Sequence, residues 1–359
     1  MKRLLILALI PFLLVACKKR DLEIHKLAIN DETVVKGTDY IRITANYTYP
    51  TKLKNVVGYV SRNSDMSNAT SANATVSANQ FVVSFDNLAD NTRYYYCFDC
   101  NNGVDIIKTE VKSVTTDFPG LIKREFSVSA TQKVYFSQGN LQYRASTGTW
   151  RFADNQFIFI GANNSNISST YDGWIDLFGW GTGDNPTNTS IENSDYPSFV
   201  EWGNNPVSNG GNTSNVWRTL TKDEWVYLLN ERSTTSGIRY AQAIVDGSWG
   251  TIILPDDWNS DNYSLNNPNS GVNFDNNIIT MTDWSAAFET NGAVFLTAAG
   301  YREGTVVNLP GMRGCYWSAT NYAGVGAYNI YSFSDGFIVP NTASRYQGQS
   351  VRLVCDVEN

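Results

Sequence analysis

Residues Tyr40 to Tyr47 read YIRITANY, and Gln80 to Phe85 read QFVVSF. Apolar and polar positions alternate in both, the period of a strand with one buried face. Runs of this kind recur along almost the whole chain, each closed by Gly, Asn, Asp, Ser or Pro, and this constrains the fold more than any other feature. LEIHKLAI, DYIRITANYTY, NVVGYVS, QFVVSF, TRYYYCF and IIKTEVKSVTT fill the N-terminal part. Six or seven short strands in about 95 residues predict a β-sandwich. Between them SDMSNATSANATVSANQ, small and polar, reads as a loop or edge strand.

The composition changes after TTDFPGLIKREF, residues 115–126. All ten tryptophans lie from Trp150 to Trp317, and Asn, Gly and Ser become dense. Strand-like runs here are FSVSA, KVYFSQGNLQYR, TWRFA, QFIFIG, GTIILP, GAVFLTAAGYR, CYWSAT, AYNIYSF and SVRLVC. LTKDEWVYLLNER reads as a helix. Thr221 and Glu224 have capping-box spacing, and Trp225, Leu228 and Leu229 share one face. MTDWSAAFET is a second helical candidate, with Thr282 as its cap. These elements predict an α+β unit.

The N-terminus bears on location. MKRLLILALIPFLLVAC has two basic residues and then an apolar run too short to span a bilayer, where about 20 residues are needed. That is the pattern of a secretory signal. Leu14-Val15-Ala16-Cys17 resembles the bacterial lipobox, which implies acylation of Cys17 and removal of the peptide before it. The expected organisation is therefore a signal peptide over 1–16, a tether over 17–22, a β-sandwich over 23–117 and an α+β domain over 118–359. The expected location is the outer membrane, with display at the cell surface. The chain carries 27 basic and 34 acidic residues, a net charge of −7. With no basic run beyond Lys18-Lys19-Arg20, nucleic acid is not expected as a partner; the lipid anchor makes the membrane one.

An exported chain permits disulfides. Beyond Cys17 there are Cys97, Cys100, Cys315 and Cys355. Cys97 and Cys100 form CFDC, but a redox motif needs its first cysteine at a helix N-terminus, and YYYCFDC is strand-like. His25 is the only histidine. That excludes zinc sites with two or more His ligands and argues against a Ser-His-Asp triad. Asp256, Asp257 and Asp261 could supply oxygen ligands to Ca²⁺, although they lack EF-hand spacing and a solvated loop is the simpler reading. Val339-Pro340-Asn341 lacks the acidic residue of a Pro-containing calcium tripeptide. GTGDNPTNT neither follows a strand nor opens a helix, so it does not read as a phosphate loop. No cofactor is expected.

Two resemblances sharpen this. LADNTRY places Leu88, Thr92 and Tyr94 at tyrosine-corner spacing, and residues 23–117 resemble the fibronectin type III family, with Asp90 where that family usually has proline. In the second part, KVYFSQGNLQYRASTGTWRFA, WIDLFGWGTG, WRTLTKDEW, IILPDDW, AAGYR, YWSAT and SVRLV follow in order. This series resembles the major paralogous domain of bacterial surface lipoproteins, related in fold to formylglycine-generating enzyme and to C-type lectins. The enzyme's copper chemistry needs two closely spaced cysteines. Cys315 and Cys355 are far apart in sequence, so that activity does not carry over, and no catalytic residue is assigned. The pair could instead form a disulfide worth about 3–4 kcal/mol in the chain-entropy picture, or stand as two separate buried thiols.

In such a fold GCYWSATNYAGVGAYNIYSF supplies late strands and ligand-facing loops. Trp317 and Ile330 are expected in the core. Alternation sets Tyr328, Ile330 and Ser332 on one face and Asn329, Tyr331 and Phe333 on the other. Both faces carry aromatics, and Tyr, Ser, Asn and Gly suit recognition surfaces. The candidate ligand contacts are Tyr322, Tyr328, Asn329, Tyr331, Asp335, Asn341, Arg345 and Tyr346. The resemblance implies a lipid-anchored protein recognising a glycan or a host or bacterial surface protein. The alternatives are an adhesin or fimbria-associated subunit, including a variable protein diversified by a retroelement, and an enzyme acting on envelope polysaccharide.

Overall fold

A computed structural model describes residues 27–271, 273–334 and 336–357. The expected signal peptide, Cys17, the basic cluster, His25 and Asp335 lie outside the described residues. Among the described residues no helix is long and apolar enough to cross a membrane. The chain forms two compact units, divided between Thr116 and Asp117, and each is predominantly sheet.

The first unit contains β1 (Ala28–Lys36), β2 (Ile41–Thr48), β3 (Asn55–Ser61), β4 (Thr70–Asn73), β5 (Thr75–Val76), β6 (Gln80–Phe85), β7 (Arg93–Asn101), β8 (Ile106–Lys108) and β9 (Lys112–Thr115). One sheet has the order β1-β2-β6-β5. The other runs β4-β3-β7, with β8 and β9 both paired to β7. Every pairing is antiparallel. Ile41, Ile43 and Ala45 from β2 and Phe81, Val83 and Phe85 from β6 meet Val56, Val60, Tyr94, Tyr96 and Phe98 in one core. This is a β-sandwich. Gly58 shows how tightly the sheets face each other, since a Cβ there would sit 2.9 Å from both Phe85 and Val83. The buried Tyr94 closes a corner, its hydroxyl accepting from the Ala89 amide at 2.9 Å. The polar stretch 64–80 supplies β4 and β5, short strands at one edge of each sheet.

Cys97 and Cys100 are not bridged. They lie three apart on β7, and the Cys100 thiol, buried and beside Asp99, is pushed up to about 11.

The second unit contains β10 (Phe126–Ser127), β11 (Lys133–Phe136), β12 (Leu141–Arg144), β13 (Thr149–Phe152), β14 (Trp174–Ile175), β15 (Arg218–Thr219), β16 (Tyr240–Val245), β17 (Ser248–Ile253), β18 (Ile278–Ile279), β19 (Val294–Thr297), β20 (Tyr301–Glu303), β21 (Val306–Asn308), β22 (Gly314–Tyr322), β23 (Gly326–Phe333), β24 (Gly336–Ala343) and β25 (Leu353–Asp356). They form small sheets ordered β10-β11-β25-β15, β13-β12-β14, β18-β16-β17-β19, β20-β21 and β22-β23-β24. Two short helices, α1 (Lys222–Val226) and α2 (Met281–Asp283), each run on into a π-turn. The Thr221–Glu224 capping box is present, and Trp225, Leu228 and Leu229 are buried. At α2 the cap is Thr280, not Thr282. Thr280 is extended and accepts from the Asp283 amide, whereas Thr282 already lies inside the first turn.

Two other readings change, and one open alternative is resolved. KVYFSQGNLQYR is not one strand but β11 and β12, in different sheets, broken where Gly139 passes Ala153 so closely that a Cβ would lie 2.5 Å from its carbonyl oxygen. QFIFIG forms no strand, because side chains hold its backbone: Asn155 accepts from the Ile158 amide and Asp176 from the Ile160 amide. Cys315 and Cys355 form no disulfide. Cys315 on β22 pairs with Tyr331, whereas Cys355 on β25 pairs with Tyr135 in another sheet. Burial pushes the Cys315 thiol up to about 12.

Candidate functional site

Strands β22, β23 and β24 form a sheet whose two faces feed two cores. Tyr316 and Ile330 join Phe126, Phe136, Trp225 and Leu229 on one side. Trp317 and Ala327 join Trp150, Phe178, Trp202 and Val351 on the other. The Trp317 indole also donates to the Phe178 carbonyl at 2.8 Å. Burial of this stretch is therefore achieved without most of its tyrosines.

Tyr322 and Tyr328 come together in an edge-to-face pair, ring centroids 5.2 Å apart. The Lys222 ammonium stands 5.3 Å from the Tyr328 centroid, and the Lys222 amide donates to the Thr320 hydroxyl. Tyr322 is 40% exposed and Val325, in the turn after it, 64%. An open concavity of about 250 Å³ adjoins them, lined by Tyr322, Val325, Gly326, Thr342, Ala343 and Ser344.

Tyr331 belongs to a different group. With Tyr301 and Phe333 it rings the Arg313 guanidinium, whose Cζ lies 5.1, 4.9 and 5.5 Å from the centroids of Tyr301, Tyr331 and Phe333. Tyr328 and Tyr331 thus serve separate clusters. Tyr346 is half-buried.

Two candidates must be withdrawn as direct contacts. Asn329 is buried, donating to Gln349 Oε1 at 2.8 Å and accepting from Asn341 Nδ2 at 2.9 Å. That amide chain also engages half-buried Asn341. Arg345 is buried as well. It donates to the Gly326 and Tyr196 carbonyls at 3.2 and 3.1 Å and to Asn321 Oδ1, and lies 5.0 Å over the Trp180 ring. Its amide donates to Asn193 Oδ1. Arg345 fastens loops behind the surface rather than meeting a ligand, for a long polar side chain can reach several carbonyls that no apolar residue could satisfy. Lys222, Thr320 and Val325 complete the Tyr322–Tyr328 face. Lys222 lies about a hundred residues upstream, so no local pattern marks it.

The acidic loop does not converge on a cation site. Asp256 accepts from the Ser127 amide and hydroxyl and from Arg232 Nη1 at 2.6 Å. Asp257 faces Arg124 at 3.8 Å, and Asp261 is exposed beside its cap Asn259. Among the described residues no group of three or more His, Cys, Asp or Glu is placed to hold a metal ion. A larger hollow of about 480 Å³ lies elsewhere in the unit, lined by residues that include Arg124, Asp154, Gln156 and Glu289.

No protein-family model matches the chain, and a search of curated proteins gives no match. Among solved structures it is similar to a computationally redesigned β-sandwich protein, at 19% identity, TM-score 0.22, over 25% of this chain and 93% of that one. It is also similar to the sensor domain of the anti-sigma factor RsgI4 of Pseudobacteroides cellulosolvens, at 14% identity, TM-score 0.21, over 26% of this chain and 75% of that one. A GH family 64 laminaripentaose-producing β-1,3-glucanase from Paenibacillus barengoltzii follows at 14% identity, TM-score 0.18, over 38% of this chain and 37% of that one. At such scores none bears on function. The sandwich assignment rests on sheet order and core.

Proposed function

We propose that the chain is an exported, lipid-anchored surface protein in which a fibronectin type III-like sandwich spaces a lectin-like unit that binds a glycan or a surface protein. The observation that carries this reading is the Tyr322–Tyr328 pair. It stays accessible beside Lys222 and an open concavity while Tyr316, Trp317, Ala327 and Ile330 of the same strands form the cores. Tyrosine presents a large rigid face with one polar handle, and the ammonium and the Thr320 and Thr342 hydroxyls supply adaptable hydrogen bonds. The role is binding rather than catalysis, with the outer membrane as its location.

The test is a glycan-array and surface-protein screen of the mature chain, repeated with Tyr322→Ala and Tyr328→Ala. A hit weakened by about 2 kcal/mol or more in at least one variant, with an unchanged melt, is the expected result. No hit for the wild type, or turnover of a glycan, overturns the binding reading. Anchoring is tested separately: Cys17→Ser should release the protein from membranes and remove the lipid mass.

A further inference from the structure

A second surface, sharing no residue with the Tyr322–Tyr328 face, gathers positive charge around one indole. Arg144 on β12 lies opposite Thr149 of β13 on one side and Trp174 of β14 on the other. Arg151 on β13 lies opposite Gln142. The Arg144 and Arg151 guanidinium carbons stand 4.6 and 4.0 Å from the Trp174 ring centroid. Arg151 donates through Nε to Gln142 Oε1 at 2.9 Å, which fixes its orientation, and keeps 26% of its side chain exposed. Among the described residues its one salt-bridge partner is Asp154, at 3.7 Å and 71% exposed. Arg144 has no such partner: its Nε is buried without a hydrogen bond, and among the described residues no acid forms a salt bridge with it.

Two cations over one ring repel each other, and an aromatic face attracts a cation without neutralising it. Elsewhere in this unit the buried guanidiniums of Arg232, Arg302 and Arg345 are bonded to carbonyls or to a carboxylate. Here donor capacity and charge are left unspent at a surface held rigid by three strands. The adjoining turn Ala145–Gly148 is rich in hydroxyls, with Thr147 and Thr149 Oγ1 2.8 Å apart and Ser146 donating to Asp172. We infer that Arg144, Arg151 and Trp174 form an oxyanion-binding subsite for an acidic polysaccharide, the guanidinium forks holding a sulfate or carboxylate substituent and the hydroxyl-rich turn meeting the sugar. A planar fork matches an oxyanion bidentately. The chain's net charge of −7 makes this local pair of guanidiniums, rather than the protein's overall field, the source of any attraction for an anion.

The experiment measures binding of the mature chain to a sulfated polysaccharide, to polygalacturonate, to neutral dextran and to phosphatidylglycerol vesicles, at low and raised salt. Salt-sensitive binding to one or both acidic polymers and none to dextran is expected, and which polymer binds distinguishes sulfate from carboxylate. Arg144→Gln and Arg151→Gln should each weaken it about tenfold, with near-UV circular dichroism unchanged. Asp154→Asn removes the competing carboxylate and should tighten it severalfold. No binding to either acidic polymer, equal binding to the vesicles, or full affinity in the Arg144 variant overturns the inference. Should the arginine variants lose their fold, an unchanged affinity in Asp154→Asn overturns it instead.

Discussion

The interior of the sandwich is apolar, with Ser61 and Thr116 its buried polar residues, whereas the second unit buries Arg232, Arg302, Arg345 and Arg352 together with Asp176, Asn140, Asn164 and Gln156. The difference follows from strand length. Strands of seven to nine residues such as β2, β3 and β7 satisfy their own backbone in ladders and need only an apolar face to pack. The second unit has many strands of two to four residues and long connections between them, so its loop carbonyls need other donors. Guanidinium groups provide them. Arg302 donates to the carbonyls of Leu177, Asn188 and Gly304 at 3.0, 2.8 and 2.7 Å, and Gly348 leaves room for it, since a Cβ there would lie 2.4 Å from Arg302 Cγ. Arg352 reaches Gln156 Oε1 at 2.8 Å and the Phe295 carbonyl at 3.4 Å. Burial pulls both guanidiniums down to about 10, which still leaves them charged at neutral pH.

If carbonyl capture by arginine holds the second unit together, Arg302→Met should damage that unit more than any loss of a single apolar contact. It keeps volume but leaves three carbonyls without a donor, at about 1–3 kcal/mol each unless water enters. A loss of about 3–5 kcal/mol in denaturant unfolding of fragment 117–359 is expected. A loss below about 1 kcal/mol would show that the loops are held by packing alone.

Asp176 separates the two interiors by pH. It is fully buried, accepting from Asn164 Nδ2 at 2.8 Å and the Ile160 amide at 2.8 Å, and desolvation raises its carboxyl from 3.8 to about 6 against the pull of those bonds. The folded state therefore holds this proton more tightly than the unfolded chain. The resulting stability is complete below about pH 4 and is lost as pH rises through about 6, a change of about 3 kcal/mol. Melts of the second unit should fall across that window, and Asp176→Asn should remove this component. The sandwich has no counterpart among its described buried residues, and Ile43→Val there should cost about 0.5–1.5 kcal/mol at any pH between about 4 and 7.

The same contrast explains what is legible in the sequence. Alternation in β2 and β6 reveals the sandwich because its side chains report directly on burial. The capping box at Thr221 and the burial of Trp317 are legible for the same reason, each following a local rule. KVYFSQGNLQYR has the composition of a strand because Val134, Phe136 and Leu141 are buried, whereas in QFIFIG Phe157, Phe159 and Ile160 are only half-buried and Ile158 is exposed. Their backbones are claimed by Gly139's close approach and by Asn155 and Asp176. The motif arginines Arg218, Arg302 and Arg352 are scaffold. Arg218 spans Glu224 and Asp356, while Arg302 reaches Asn188, more than a hundred residues away. Arg345 has the sequence context of a surface cation for the same reason: its partners Tyr196 and Asn193 are distant in sequence.

The smallest stability effect is expected where the proposed function lies. Trp317→Ala removes a buried indole and its bond to Phe178, at about 3–5 kcal/mol. Tyr331→Ala opens the aromatic ring around Arg313 and should fall between the extremes, because cation–π contacts of a half-buried arginine contribute about 0.5–1 kcal/mol apiece. Tyr322→Ala loses one edge-to-face contact with Tyr328 at an exposed position and should stay within about 0.5 kcal/mol. If Tyr322 contributes that little to folding, its place in the pair beside Lys222 and an open concavity agrees with the proposed binding role. Equal loss of melting temperature in all three variants would make the sheet β22–β24 simply interior, and the contrast between a scaffold of buried arginines and a surface of spare tyrosines would fail.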